Sequence, residues 1–229
     1  MPLDQSFTPV SFELLEKLAS NNKKEWYDAH KSEFDAQLRA PFADVLEAVT
    51  ARLEGSIAPL IGSKKTMFRQ NRDIRFSKDK SPYKTSVSGL LTPSGTKKEM
   101  NGVLYIHLDA TGGFMATGFY QLATSKLALI RERIVERPQR FTQMLESLAE
   151  HDLDLDKSSS LTRMPKGFEA HDGHDHAPYI KLKNFLVLER LPKSAWTKGD
   201  IVDRAAQLAL ASADFLGFCQ TALLKEGSH

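Results

Sequence analysis

Cysteine is almost missing from this chain: Cys219 stands alone among 229 residues. No intramolecular disulfide can form, and that usage fits a reducing compartment. Long apolar runs are missing as well. The longest uncharged stretch, residues 110–125, is broken by Gly112, Gly113 and Gly118 and falls short of the ~18 apolar residues that a spanning helix needs. The opening Met1-Pro2-Leu3-Asp4-Gln5-Ser6 has neither the basic flank nor the apolar core of a secretory leader. These absences predict a protein with no membrane partner, placed in the cytoplasm. Overall charge is scarce too, at +2.

A composition of 41% hydrophobic and 26% charged residues is that of an ordinary globular chain. At this length a core needs neither metal nor disulfide, and a single domain over 1–229 is expected. The hydrophobic pattern then divides the chain. Phe12, Leu15 and Leu18 predict a short helix over 11–19. Asn22, with Glu25 three residues on, reads as an N-cap with a capping box. The stripe Trp26, His30, Phe34, Leu38, Phe42, Val45, Leu46, Val49, Leu53 predicts a long amphipathic helix, kinked or restarted at Pro41. From Thr66 the period becomes two. Segments 67–76, 83–92, 102–109 and 113–121 read as an antiparallel meander, with Leu104, Ile106 and Leu108 alternating against Tyr105 and His107. Helices are expected over 125–136, from Pro138, and from about Asp200, and residues 184–190 read as a central strand. The fold class is therefore α+β: a mainly antiparallel sheet, a meander plus a later central strand, packed by N-terminal, middle and C-terminal helices.

Signatures of familiar chemistry fail on spacing. Gly89 and Gly95 with Thr96-Lys97 do not make a phosphate-binding loop, no serine sits in a Gly-x-Ser-x-Gly elbow, and Cys219 falls on an apolar helix face. His171, His174 and His176 lie in a loop between Gly167 and Pro178, not on the helix a zincin requires, and no functional metal is assigned to them. The sequence names no cofactor.

Charge is distributed unevenly. Residues 64–84 carry eight basic side chains against Asp73 and Asp79, an excess of six, which leaves the rest of the chain at −4. An extended 68–76 would place Arg69, Asn71, Asp73 and Arg75 on one face, so Arg69 and Arg75 would flank Asp73. Two readings follow. In one the arginines and Asp73 form a structural ion-pair ladder. In the other, guanidinium forks beside the loop Ser77 to Lys84 receive a phosphate or carboxylate.

The run Arg69-x-x-Arg72-Asp73-x-Arg75-Phe76-Ser77-x-Asp79-Lys80-x-Pro82-Tyr83-Lys84-Thr85 resembles the signature of the domain of unknown function 2461 family. Asn21 to Trp26, Tyr105-x-His107, Gly118, Leu127 with Arg131, Pro165-Lys166-Gly167-Phe168 and Lys181-x-Lys183-x-Phe185 keep the order of that family over about residues 7–220. Leu122-Ala123 where a proline is expected, and the extra His171 and His174, depart from it. The resemblance implies an intracellular α+β domain and transfers no activity. The expected site is a pocket for a small anionic ligand, a nucleotide or phosphorylated metabolite. Arg69, Arg72 and Arg75 would supply forked hydrogen bonds, Lys80 and Lys84 point charges, Tyr83 and Tyr105 ring or hydroxyl contacts, and His107 an acid or base. Nucleic acid or an acidic protein surface is the alternative partner, and a purely structural motif the third reading.

Overall fold

The computed structural model describes residues 7–98 and 101–224, so the opening hexapeptide read above lies outside them. The helices are α1 (Pro9–Ser20), α2 (Lys24–Phe34), α3 (Ala40–Leu53), α4 (Thr124–Glu136), α5 (Pro138–Ala149), α6 (Ala177–Ile180), α7 (Lys193–Thr197), α8 (Ile201–Ala211) and α9 (Ala213–Leu224). The strands are β1 (Ser86–Leu91), β2 (Asn101–Asp109), β3 (Gly112–Phe119) and β4 (Phe185–Arg190), hydrogen-bonded in the order β1-β2-β3-β4 as an antiparallel meander. The fold is α+β. β4, expected at the centre, takes an end position, because Leu155 reaches its Val187 by a single bridge only. Among the described residues no single helix is long and apolar enough to cross a membrane.

The chain gathers into two compact units. Among the described residues one spans 7–98, 103–115 and 189–208, and the other 101–102, 116–188 and 209–224. In the first unit, α1 buries Phe12, Leu14, Leu15 and Leu18. The long stripe is realised from Tyr27 onward: Phe34, Leu38, Phe42, Leu46, Val49 and Leu53 are all buried, whereas Trp26 and His30 stack on each other half-exposed. A π turn over Asp35–Arg39 joins α2 to α3, and Pro41 occupies the first turn of α3. Steps of four residues drift about 40° each in an α-helix. The wider π turn offsets that drift and lets proline enter without breaking the rod.

Helix α3 lies on β1 at Gly89, where a Cβ would stand 2.8 Å from Leu46 Cδ1. Leu104, Ile106 and Leu108 of β2 are fully buried, while Tyr105 and His107 on the opposite face are half-buried, as the alternation predicts. In the second unit α4, α5 and α9 pack around Ile130, Phe141, Met144 and Phe218, with Phe141 and Phe218 rings 5.3 Å apart. Buried Arg131 donates from Nε to Ile180 O at 2.8 Å and from Nη2 to Leu182 O at 2.9 Å. Burial pushes the Cys219 thiol well above its usual range. The expected final helix is two, α8 and α9, divided at Ser212.

Candidate anion-binding site

Residues 67–76 do not form the regular strand their alternation suggests. Two isolated bridges hold the segment, Met67 to Gly89 and Asn71 to Tyr83. Between and beyond them carboxylates capture backbone donors. Asp73 Oδ1 accepts Arg75 N at 3.2 Å, and Asp79 Oδ1 accepts Ser81 N at 2.9 Å and Ser81 Oγ at 2.6 Å. Each contact closes a tight Asx turn in competition with a ladder, and Pro82 has no N–H to offer one. The segment therefore folds as a looped flap against the outer edge of β1. Gln70 pins it, donating from Nε2 to Lys84 O and, at 3.0 Å, to Ser86 O.

Asn22 does not cap α2. Lys23 takes the N-cap position without a side-chain bond, and the Asn22 amide instead clamps Tyr83: Nδ2 donates to Tyr83 O at 2.9 Å, and Oδ1 accepts Tyr83 N at 3.0 Å. A carboxamide can serve a backbone donor and acceptor together, as a strand partner would. Tyr83 is buried and stacks on Tyr27 with ring centroids 4.1 Å apart.

These constraints shape a cleft of about 450 Å³ lined by Asn22, Arg72, Asp79, Ser81, Tyr83 and Lys84, with Ala19, Thr85 and Ser86 completing it. Of the residues named from the sequence, Arg72, Tyr83 and Lys84 meet here. Arg72 is bound at Nη1 by Asp79 Oδ2 and lies 3.4 Å from Ser77 Oγ. Ser81 and Arg72 together hold the Asp79 carboxyl well below its ordinary range. Arg75 is elsewhere, exposed and doubly bonded to Asp73 at 3.0 and 2.7 Å, and Lys80 Nζ donates to Ile74 O at 2.9 Å. The arginines therefore do not converge: Arg72 and Arg75 each have their own carboxylate.

Lys84 is the exception. Its ammonium rests 5.0 Å over the Phe68 ring, and among the described residues no carboxylate lies within ion-pair distance of it. Burial, then Arg69 and Lys97, lower its pKa from the ordinary lysine value. Lys97, in the β1–β2 hairpin and outside the basic run counted in the sequence, donates from Nζ to Met67 O at 2.9 Å.

On the half-buried face of β2, Tyr105 Oη lies 2.9 Å from His107 Nδ1, and His107 Nε2 lies 3.6 Å from Asp109 Oδ2. Phe114 stacks on the imidazole at 4.8 Å, and Phe68 meets Tyr105 edge-on at 6.1 Å. Burial first, and Lys84 with it, lower the His107 pKa against the opposing pull of Asp109. Asp109 went unread in the sequence because it opens a turn, and it does close that turn, accepting Thr111 N and Oγ1 at 2.7 Å each. Its period-two spacing from His107 was the available signal.

The histidine loop lies in the second unit. His176 is buried with Nε2 3.0 Å from Thr142 Oγ1 and 3.2 Å from Pro138 O, and His174 Nδ1 accepts His176 N at 3.0 Å. Among the described residues no three His, Cys, Asp or Glu side chains gather as metal ligands.

Fold and site define an α+β protein whose first unit carries a basic flap over a polar cleft. The chain belongs to the family described as conserved hypothetical protein (DUF2461), which it matches over residues 10–218. No curated protein and no solved structure matches it.

Proposed function

We propose that the protein binds a small phosphorylated or carboxylate-bearing ligand at the cleft beside Lys84. One observation carries this reading: Lys84, at the cleft, is repelled by Arg69 and Lys97 and has no acidic partner among the described residues. A desolvated ammonium beside two further cations and without a carboxylate of its own is unfavourable in the empty protein, and an anion relieves it. Hydroxyls of Ser81, Thr85 and Ser86 border the same space and suit phosphate oxygens. The lone buried thiol agrees with a cytoplasmic setting.

The test separates ligand binding from scaffolding. Thermal unfolding is followed with inorganic phosphate, pyrophosphate, nucleotides and phosphosugars, for wild type and Lys84→Met. A ligand at a hundred times its Kd stabilises by about 2.7 kcal/mol, roughly 5–10 °C for a chain of this size. Lys84→Met should melt no lower than wild type when empty, since it removes a desolvated, repelled charge, and should not respond to the anion. A variant that melts lower and responds equally would refute the reading.

A second reading has its own observation. Phe76 is 95% exposed with the Arg75 guanidinium 5.8 Å from its ring, on a loop that also carries Lys78 and Lys80. An exposed aromatic among cations suits stacking on single-stranded nucleic acid. Anisotropy with an oligothymidylate at low salt tests it: binding that weakens steeply with salt and is lost in Phe76→Ala supports this reading, and no binding removes it.

A further inference from the structure

We propose that Tyr105 is the proton-accepting group of this site, activated by His107 and positioned through Asp109, and that it acts on an anionic substrate bearing an acidic C–H or O–H. The proposal rests on the anion-binding reading for its substrate class, and on separate geometry for its chemistry.

Tyr105, His107 and Asp109 alternate on β2, so all three side chains leave the same face, opposite Leu90, Ser88 and Ser86 of β1. Ser86 also lines the cleft. The imidazole is hydrogen-bonded to the phenol at Nδ1, at 2.9 Å, while its Nε2 stands 3.6 Å from the Asp109 carboxylate, beyond hydrogen-bond length but near enough for the charge to act on it. A neutral ring with its proton on Nε2, facing Asp109, leaves Nδ1 as an acceptor for the phenolic O–H. The negative charge of Asp109 favours the tautomer whose Nε2–H faces it, the one that lets Nδ1 accept from the phenol. Phe114, stacked at an interplanar angle of 20°, holds the ring in that plane. Gly113 allows the approach of β3: at φ +111° a Cβ there would stand 2.0 Å from His107 O.

In the step itself, the substrate proton passes to Tyr105 Oη as the phenolic proton passes to His107 Nδ1. The substrate is left as an anion, the imidazole becomes imidazolium beside Asp109, and Lys84 offsets the new negative charge. One proton moves from substrate to His107, and nothing is oxidised or reduced.

A polarised phenol can be read without knowing the substrate. The protein is treated with 4-(fluorosulfonyl)benzoate, which is anionic, and with phenylmethanesulfonyl fluoride, which is neutral. In labelling, the tyrosine oxygen bonds to sulfur, fluoride leaves, and the phenolic proton goes to His107. Peptide mapping gives the rate at each tyrosine, with Tyr120, 52% exposed, as the internal control. Tyr105 should be labelled at least about tenfold faster than Tyr120, and His107→Gln should slow it about a hundredfold. The Tyr105 rate should fall as pH drops and His107 is protonated, with Asp109 and Lys84 the charged groups facing it, and Asp109→Asn should move that inflection to lower pH. A purely structural Asp109 would leave the inflection in place. Labelling of Tyr105 no faster than Tyr120 in the wild type, or a rate indifferent to His107→Gln, overturns the proposal. Fast labelling by the neutral reagent, with no preference for the anionic one and no effect of Lys84→Met, would uphold the relay and overturn the anion-binding reading.

Discussion

Exchanging Asn22 distinguishes two roles that the sequence makes look alike. As an N-cap, asparagine and aspartate are nearly equivalent, and alanine costs about 1 kcal/mol. As the clamp on Tyr83 they are opposites. Asn22→Ala removes two hydrogen bonds, at 2.9 and 3.0 Å, and strands a part-buried N–H and C=O, which sums to about 1–3 kcal/mol. Asn22→Asp keeps the bond from Tyr83 N but sets a carboxylate oxygen against Tyr83 O at hydrogen-bond distance. The lost bond and the repulsion together cost about 2–4 kcal/mol, more than the alanine change. The expected order of stability is wild type, then Asn22→Ala, then Asn22→Asp. Urea unfolding at neutral pH measures it, and repeating the titration near pH 4 adds an internal check. The protonated carboxyl can donate again, so the Asn22→Asp deficit should shrink as pH falls. Equal stability of Asn22→Asp and wild type at neutral pH would refute the clamp and restore the cap.

Arg131→Met should destabilise by about 2–4 kcal/mol, read as a drop in urea midpoint at unchanged slope, since it leaves the Ile180 and Leu182 carbonyls without their buried donor. A loss under about 0.5 kcal/mol would mean that water replaces the guanidinium. His107 gives a pH dependence of known sign. Its folded pKa is depressed, so the stability it contributes is full above the unfolded value of about 6.5 and is lost as pH falls through the folded one. Unfolding curves between about pH 7 and pH 5 should therefore be flatter for His107→Gln than for wild type, and parallel curves would count against the neutral, buried imidazole.

The α+β class was legible because the long elements obey their periods. The stripe from Phe34 to Leu53 and the alternation of Leu104, Ile106 and Leu108 are both buried as the pattern requires. The flap was misread for a local reason: Asp73, Asp79 and Pro82 override alternation by turning the backbone, and their spacing, each aspartate two residues before its captured N–H, was visible. The partners of the arginines were only half visible. Asp73 was expected between Arg69 and Arg75 and closes on Arg75, but nothing in the linear order says that Arg72 will take Asp79 from seven residues away. Lys97 and the Asn22–Tyr83 clamp, 61 residues apart in sequence, exist only through tertiary contact.

The flap's place on β1 carries a consequence for the protein's conduct in solution. Ile61, Met67 and Phe68 occupy ladder positions along an outermost strand, at Thr92, Gly89 and Ser88. An unoccupied outer strand is a template onto which a second molecule can add. The flap therefore stands where an adding strand would, and shields the backbone groups of β1 that it engages from a second molecule.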